Sequence, residues 1–137
     1  MIKAIIFDFF GVLLLDGREP NRQLLDLIRH ELKPVYKISV LSNASRDYAK
    51  EYLDKTDYEL FDDILPAFAH GMPKPQAGIY NLASQRLKVR PEECLFTDDN
   101  SGHCEGAVAA GMKSVYFYNV EDFRKEIKKI LAAGAND

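Results

Sequence analysis

Four short stretches of this sequence place polar side chains directly after apolar runs or between prolines, and their chemistry is complementary. Asp8 follows IIF, Ser42–Asn43 follow VL, Lys74 lies between two prolines, and Asp98–Asp99 follow LFT. A carboxylate at the end of a buried strand can serve as a nucleophile or as a metal ligand. A hydroxyl, an amide and a fixed ammonium suit a bound phosphate or carboxylate. Paired carboxylates supply the hard oxygen ligands that Mg²⁺ prefers.

Each stretch also has an ordinary structural explanation. Asp8 would cap a turn, Lys74 would be an exposed loop lysine, and Asp98–Asp99 would be solvated turn residues. Ser42–Asn43 would cap the helix that follows, although Ser45 already suits that cap, which favours the chemical interpretation for Ser42. The occurrence of all four stretches at the ends of predicted strands is harder to attribute to packing than any one of them.

The elements around these residues alternate between strand and helix patterns, because short apolar runs are separated by apolar residues at helical spacing. The predicted strands are 3–7, 37–41, 63–68, 93–97 and 114–118, and the predicted helices are 20–33, 45–55, 75–87, 103–110 and 120–133, with 134–137 expected to fray. Such alternation builds a parallel sheet with helices on both faces, and ligands bind beyond the carboxyl ends of its strands. The four polar stretches are therefore expected to converge on one site.

Composition bounds the partners and the setting of the protein. The 137 residues are expected to form one domain, 1–137, with 47% hydrophobic content, enough for a core without disulfides. A net charge of −3 without a basic run argues against nucleic acid or a membrane surface as partner. Cys94 and Cys104 lack metal-ligand spacing and are expected to be reduced thiols of a cytoplasmic protein. Asp8 interrupts the apolar N-terminal run, which is interpreted as a strand rather than a signal peptide or membrane span.

In their order along the chain, the four stretches resemble the motifs of the haloacid dehalogenase superfamily of aspartate-nucleophile hydrolases. The motifs are FDFFGVL at 7–13, LSN at 41–43, KP at 74–75 and FTDD at 96–99, and 106–112 resembles the helix that follows them. The resemblance covers almost the whole chain. It implies an α/β fold, a Rossmann-like three-layer sandwich with a five-stranded parallel sheet in the order 5-4-1-2-3.

The resemblance also implies the residues of the site and their roles. Asp8 would attack phosphorus to form an aspartyl-phosphate, which water then cleaves. The implied phosphate-binding residues are Ser42, Asn43 and Lys74, of which Ser42 and Lys74 join Asp8 as catalytic residues. Mg²⁺ is the implied cofactor, and its implied ligands are Asp8, the backbone carbonyl of Phe10, Asp99, and Asp98 as a further ligand or as support.

Three departures from the family pattern bear on activity. Phe10 stands where the phosphatases carry an aspartate that transfers protons, and losing such a group typically costs on the order of 10²- to 10⁴-fold in rate. His103 stands where the family often has Asp or Asn. The cap domain usually inserted after the first motif is largely absent, so a minimal, cap-less member is expected. An open site suits a phosphorylated small molecule, a larger phosphorylated substrate, or an oligomer or partner that covers it.

Three functions are therefore weighed. The first is a Mg²⁺-dependent phosphatase-like hydrolase, slowed by Phe10. The second is a non-catalytic domain of the same fold with a binding or regulatory role, which the three departures favour. The third is a 2-haloacid dehalogenase, whose members also carry an aromatic residue at the position of Phe10 but work without metal, which the pair Asp98–Asp99 disfavours. The phosphatase-like hydrolase is ranked first.

Overall fold

Five parallel strands form one sheet in the order β3-β2-β1-β4-β5 in the computed structural model, which describes residues 1–135. This order confirms the predicted one, read from the opposite edge. Every strand lies within two residues of its predicted range. The strands are β1 (Ala4–Phe7), β2 (Lys37–Ser42), β3 (Asp63–Pro66), β4 (Cys94–Asp98) and β5 (Lys113–Tyr116).

Helices cover both faces of the sheet and complete the three-layer sandwich. The helices are α1 (Arg22–Leu27, continued by a π-helical turn at Ile28–Leu32), α2 (Tyr48–Tyr52), α3 (Lys55–Tyr58), α4 (Ala77–Arg86), α5 (Ser101–Ala109) and α6 (Val120–Ala135). Between β1 and β2 the chain forms little more than α1 and a short 3₁₀ turn, so the cap domain is largely absent, as expected. None of these helices has the length and apolar character needed to cross a membrane.

Several helix boundaries differ from the prediction, by up to three residues. The helix predicted at 45–55 begins only at Tyr48, because the side chain of Asp47 rather than Ser45 accepts the first free backbone N–H. The helix predicted from Pro75 begins at Ala77. At the end of the chain α6 continues to Ala135, beyond the start of the predicted frayed segment, while 136–137 lie outside the described residues.

The central strands are buried on both faces because successive side chains enter opposite halves of the core. Ile5 and Phe7 pack with α1 and α6, whereas Ala4 and Ile6 pack with α4 and α5. All four are inaccessible to solvent. An uninterrupted apolar run of this kind is typical of a parallel strand covered on both sides.

A buried carboxylate ties α1 to α3. Asp57, which is 1% exposed, accepts hydrogen bonds from Arg22 at 2.6 and 2.9 Å and from Arg29 at 2.8 Å. The Arg22 hydrogen bonds, helped by Arg29, outweigh the effect of burial and hold the pKa of Asp57 below its usual value. A lowered pKa stabilises the fold above the unfolded-state value near 4, and this stabilisation is lost as the pH falls through the folded-state pKa.

We therefore expect Asp57→Asn to lower the free energy of unfolding by about 2 kcal/mol at pH 7, because two guanidinium groups lose their carboxylate. The difference from the wild type should shrink as the pH drops below about 4. The control is Asp26→Asn, since Asp26 approaches the same arginines at 3.6 and 3.7 Å but is half exposed, and a change below roughly 0.5 kcal/mol is expected. Urea unfolding followed by circular dichroism at both pH values measures both. Equal effects of the two substitutions would contradict the prediction.

Candidate active site

The strand register brings the ends of β1 and β4 to the same level of the sheet. Phe7 pairs with Val40 of β2 on one side and with Thr97 of β4 on the other. The next residue, Asp8, donates its backbone N–H to the carbonyl of Thr97 at 3.0 Å. Asp98 ends β4 at the corresponding position. The carboxylates of Asp8 and Asp98 therefore face the same edge of the sheet.

Lys74 joins these carboxylates from the loop before α4. Its Nζ lies 3.0 Å from Asp8 Oδ1 and 2.7 Å from Asp98 Oδ2, and it donates a third hydrogen bond to the carbonyl of Leu41 at 2.9 Å. Its side chain is 1% exposed. A buried ammonium with all three protons bound is held in one position, so it can stabilise negative charge that develops beside Asp8.

Asn43 holds the backbone of the loop that carries this lysine. The Asn43 side chain accepts the N–H of Lys74 at 2.8 Å and donates to the carbonyl of Lys74 at 3.1 Å. Both ends of the amide are therefore used within the protein. The contact between Asn43 and phosphate stays a prediction, and the geometry gives this side chain a positioning role toward Lys74.

Ser42 ends β2 beside the same edge and is 7% exposed. Within residues 1–135 its hydroxyl has no hydrogen-bond partner, so it is available to a ligand. Because α2 begins at Tyr48 and its first turn is capped by Asp47, Ser42 is not adjacent to free backbone N–H groups of a helix.

Asp98 is the most constrained acid of the site. Its Oδ2 accepts from Lys74 and lies 3.1 Å from Nδ1 of His103, and its Oδ1 accepts the N–H of Asn100 at 3.0 Å. Complete burial alone would raise the pKa of Asp98, but the charge and hydrogen bond of Lys74, together with Asp8 and His103, outweigh burial and hold this pKa below its usual value. His103, which replaces the Asp or Asn expected at this position, thus orients the ionised Asp98.

Asp8 has the opposite electrostatic balance. Burial raises its pKa to about 7, because the opposing attraction of Lys74 is smaller and Asp98 adds a further upward contribution. Burial and the charge of Asp98 also raise the pKa of Asp99. Without a metal ion, three close carboxylates thus disfavour full ionisation, even beside Lys74.

The donor set fits a divalent magnesium ion. Asp8, Asp98 and Asp99 each offer a carboxylate oxygen, and these atoms lie within 4.8 Å of one another. Hard, anionic oxygens near the edge of a cleft are the ligands that Mg²⁺ takes in proteins, usually together with water. Three carboxylates and one ammonium leave an excess of two negative charges when all are ionised, which a divalent cation would cancel.

Gly11 allows the loop after β1 to approach Asp99. Its φ is +88°, a backbone conformation that residues with a side chain rarely adopt, and a Cβ at this position would overlap Asp99 Oδ2.

We expect Gly11→Ala to lower the free energy of unfolding by about 1–2 kcal/mol and to weaken Mg²⁺ binding by displacing Asp99. Urea unfolding and calorimetric titration with Mg²⁺ measure the two effects.

Gly17→Ala is the matched control, because Gly17 also has a positive φ of +79° but has open space around its Cβ position. The two variants share backbone strain, so only Gly11→Ala should affect Mg²⁺ binding. If both variants bound Mg²⁺ more weakly, or neither did, the close approach of Gly11 to Asp99 would not be what supports Mg²⁺ binding.

The ring of Phe10 belongs to an aromatic group. It is 42% exposed and packs edge-on against Phe9, Tyr48 and Tyr52, with ring centroids 5.0, 5.5 and 6.3 Å apart. Tyr48 and Tyr52 lie on one face of α2. Their spacing of four residues on α2 was the signal that they share one face, but nothing in the sequence indicated that this face borders the site.

The fold and this cluster define the class of protein: a Rossmann-like α/β domain with a carboxylate-rich site at the carboxyl edge of its sheet. Residues 19–117 match the family model described as haloacid dehalogenase-like hydrolase, and the chain belongs to this family. Asp8 lies ahead of the matched range.

Among curated proteins, the chain is 25% identical over 115 residues to drimenol cyclase of Aspergillus calidoustus, covering 83% of this chain and 22% of that protein. It is 31% identical over 70 residues to bifunctional epoxide hydrolase 2 of Mus musculus, covering 51% of this chain and 13% of that protein. It is 29% identical over 102 residues to a phosphorylated carbohydrates phosphatase of Thermotoga maritima, covering 72% and 45%. The chain thus spans less than half the length of these relatives.

Solved structures share the fold at lower identity. An enzyme of this family from Bacteroides thetaiotaomicron, in complex with magnesium and inorganic phosphate, superposes with a TM-score of 0.73 at 16% identity, covering 90% of this chain and 99% of that chain. The L-2-haloacid dehalogenase of Xanthobacter autotrophicus superposes with a TM-score of 0.75 at 18% identity, covering 94% and 83%. The same fold therefore binds magnesium and phosphate in one protein and forms a haloacid dehalogenase in another.

Proposed function

We propose that the protein is a Mg²⁺-dependent phosphomonoester hydrolase with Asp8 as its nucleophile. The observation that carries this proposal is the position of Lys74, whose Nζ bonds both Asp8 and Asp98 beside the third carboxylate, Asp99. A nucleophilic carboxylate, a fixed cation and a set of hard oxygen ligands are the groups that phosphoryl transfer requires.

In the proposed reaction, a carboxylate oxygen of Asp8 forms a bond to phosphorus as the ester P–O bond breaks. The leaving alcohol departs with the bonding electron pair and takes a proton from solvent, because Phe10 has none to give. Water then attacks phosphorus, the bond to Asp8 breaks, and inorganic phosphate leaves as the carboxylate is restored. Lys74 and the free hydroxyl of Ser42 would hold the phosphoryl oxygens.

The proposed ligands of Mg²⁺ are Asp8, Asp99 and the backbone carbonyl of Phe10, with Asp98 as a ligand or as their support. When bound, Mg²⁺ would supply positive charge that neutralises the phosphate and the carboxylates. It would also favour the ionised form of Asp8, whose pKa of about 7 in the protein alone leaves it partly protonated at neutral pH.

The test is hydrolysis of p-nitrophenyl phosphate, whose leaving group departs without needing a proton and so depends least on the missing acid. Phosphate release is expected with Mg²⁺ and is expected to disappear with EDTA. Halide release from 2-chloropropionate that persists in EDTA would instead identify a dehalogenase and overturn the proposal.

A specific observation favours a second candidate, a phosphate-binding domain without turnover. Phe10 leaves the proton-transfer position without a titratable group, and its ring packs into an aromatic group instead. Such a domain would bind Mg²⁺ together with BeF₃⁻, a mimic of the phosphoryl group on Asp8, but would release no phosphate from p-nitrophenyl phosphate.

A further inference from the structure

A groove of about 320 Å³ lies directly beside the proposed catalytic site. Four aromatic side chains line it: Phe10, Tyr48, Tyr52 and Phe68. The groove shares Phe10 and Asn43 with the site. Phe10 follows Asp8 by two residues in the chain, and Asn43 bonds the backbone of Lys74. Its volume is near the lower end of the range for small-molecule sites.

We propose that this groove binds the leaving group of the substrate, and that the leaving group carries a flat aromatic ring. The inference rests on the proposed phosphomonoester hydrolysis, whose substrate class it narrows. A phosphate held at Asp8 and Lys74 would place the ester group near this groove, because Phe10 and Asn43 belong both to the groove and to the surroundings of these two residues.

The walls of the groove are flat and cationic. Tyr48 and Tyr52 stack at 26° with centroids 6.4 Å apart, and the Arg18 guanidinium lies 5.4 Å from the centre of the Tyr52 ring. Arg18 also bonds the Tyr52 hydroxyl and has no carboxylate partner among residues 1–135. Aromatic rings pack well on other aromatic rings, and their electron-rich faces attract guanidinium groups.

The groove offers few groups to a carbohydrate. Its remaining polar side chains are those of Ser45 and Asn43, and both ends of the Asn43 amide are bonded to the Lys74 backbone. No carboxylate lines it. Four rings offer the groove more area for stacking than for hydrogen bonding, which favours an aromatic ring over a sugar, whose hydroxyls need acceptors and donors.

The experiment compares Mg²⁺-dependent binding of inorganic phosphate, methylphosphonate, phenylphosphonate and glycerol phosphate by calorimetry. Phenylphosphonate is expected to bind about tenfold more tightly than methylphosphonate. The preference for phenylphosphonate should disappear in the double variant Tyr48→Leu, Tyr52→Leu, which keeps apolar bulk in the groove. It should persist in the control Tyr118→Leu, because Tyr118 is an exposed tyrosine outside the groove. Retained binding of inorganic phosphate shows that each variant is folded.

The outcomes separate the two proposals. Phosphate binding without an aryl preference in the wild type, or with tighter binding of glycerol phosphate, overturns the inference and leaves the proposed function standing. An aryl preference that survives in the double variant also overturns it. Failure of the wild type to bind any of the four probes overturns the proposed function itself. If the wild type sediments as a dimer and the double variant as a monomer, the inference is also overturned, because a second copy of the chain then covers the groove.

Discussion

Asp8→Asn is expected to lower Mg²⁺-dependent phosphate release by at least about 10⁴-fold, because an amide is a far weaker nucleophile than a carboxylate. The amide also loses the negative charge that a metal ligand needs. Asn has nearly the shape of Asp and can still accept the hydrogen bond from Lys74, so the loss is not a packing effect. Steady-state hydrolysis of p-nitrophenyl phosphate measures it, with the exposed Asp16→Asn as control. Activity within tenfold of the wild type would contradict the assignment of Asp8.

The same substitution should stabilise the protein when no metal is present. The pKa of Asp8 is about 7 in the folded state and near 3.8 in the unfolded chain, so the wild type loses stability as the pH rises between these values. Asn removes that loss. At pH 8 without Mg²⁺ the variant is expected to be roughly 1–3 kcal/mol more stable, and at pH 4 nearly equal. Urea unfolding at both pH values measures this difference, and a less stable variant at pH 8 would contradict the raised pKa.

Phe10→Asp is expected to raise the rate with ordinary alkyl phosphates by about 10²- to 10⁴-fold, because it restores a group that can protonate the leaving oxygen and deprotonate the attacking water. Phe10 is 42% exposed, so its replacement leaves no buried cavity. The nearby acids Asp8 and Asp99 would help keep the new carboxyl protonated. The gain should be smaller with p-nitrophenyl phosphate, whose leaving group needs no proton.

Phe10→Asn is the matched control for this gain, since it removes the same aromatic ring and adds a polar side chain that cannot transfer a proton. Initial rates for both variants, measured with an alkyl phosphate and Mg²⁺ from pH 5 to 9, should show a gain only for Asp. If Phe10→Asn raised the rate as much as Phe10→Asp, the Phe10 ring would be obstructing the site. The slow rate of the wild type would then not be explained by the missing acid.

The positions of the reactive groups could be read from the sequence because they obey a local rule. A run such as 4–7 must be buried, and a polar residue that follows it directly must leave the core at the end of the strand. Asp8, Ser42 and Asp98 were found in this way, and the parallel topology then requires that they share one edge. Lys74 does not follow this rule, because it lies eight residues after the end of β3 at Pro66; its signal was its position between two prolines.

The partners of those groups depend on contacts between distant parts of the chain. Asn43 bonds the Lys74 backbone across 31 residues, and Lys74 reaches Asp8 across 66 residues, so both contacts depend on strand register and loop path rather than on local pattern. The choice of Asp47 over Ser45 as helix cap depends on where the chain turns after β2. The local pattern identified the strand ends that carry polar side chains. Only the folded chain decided that Lys74 bridges two carboxylates and that an aromatic groove adjoins them, because these contacts join residues that local pattern cannot relate.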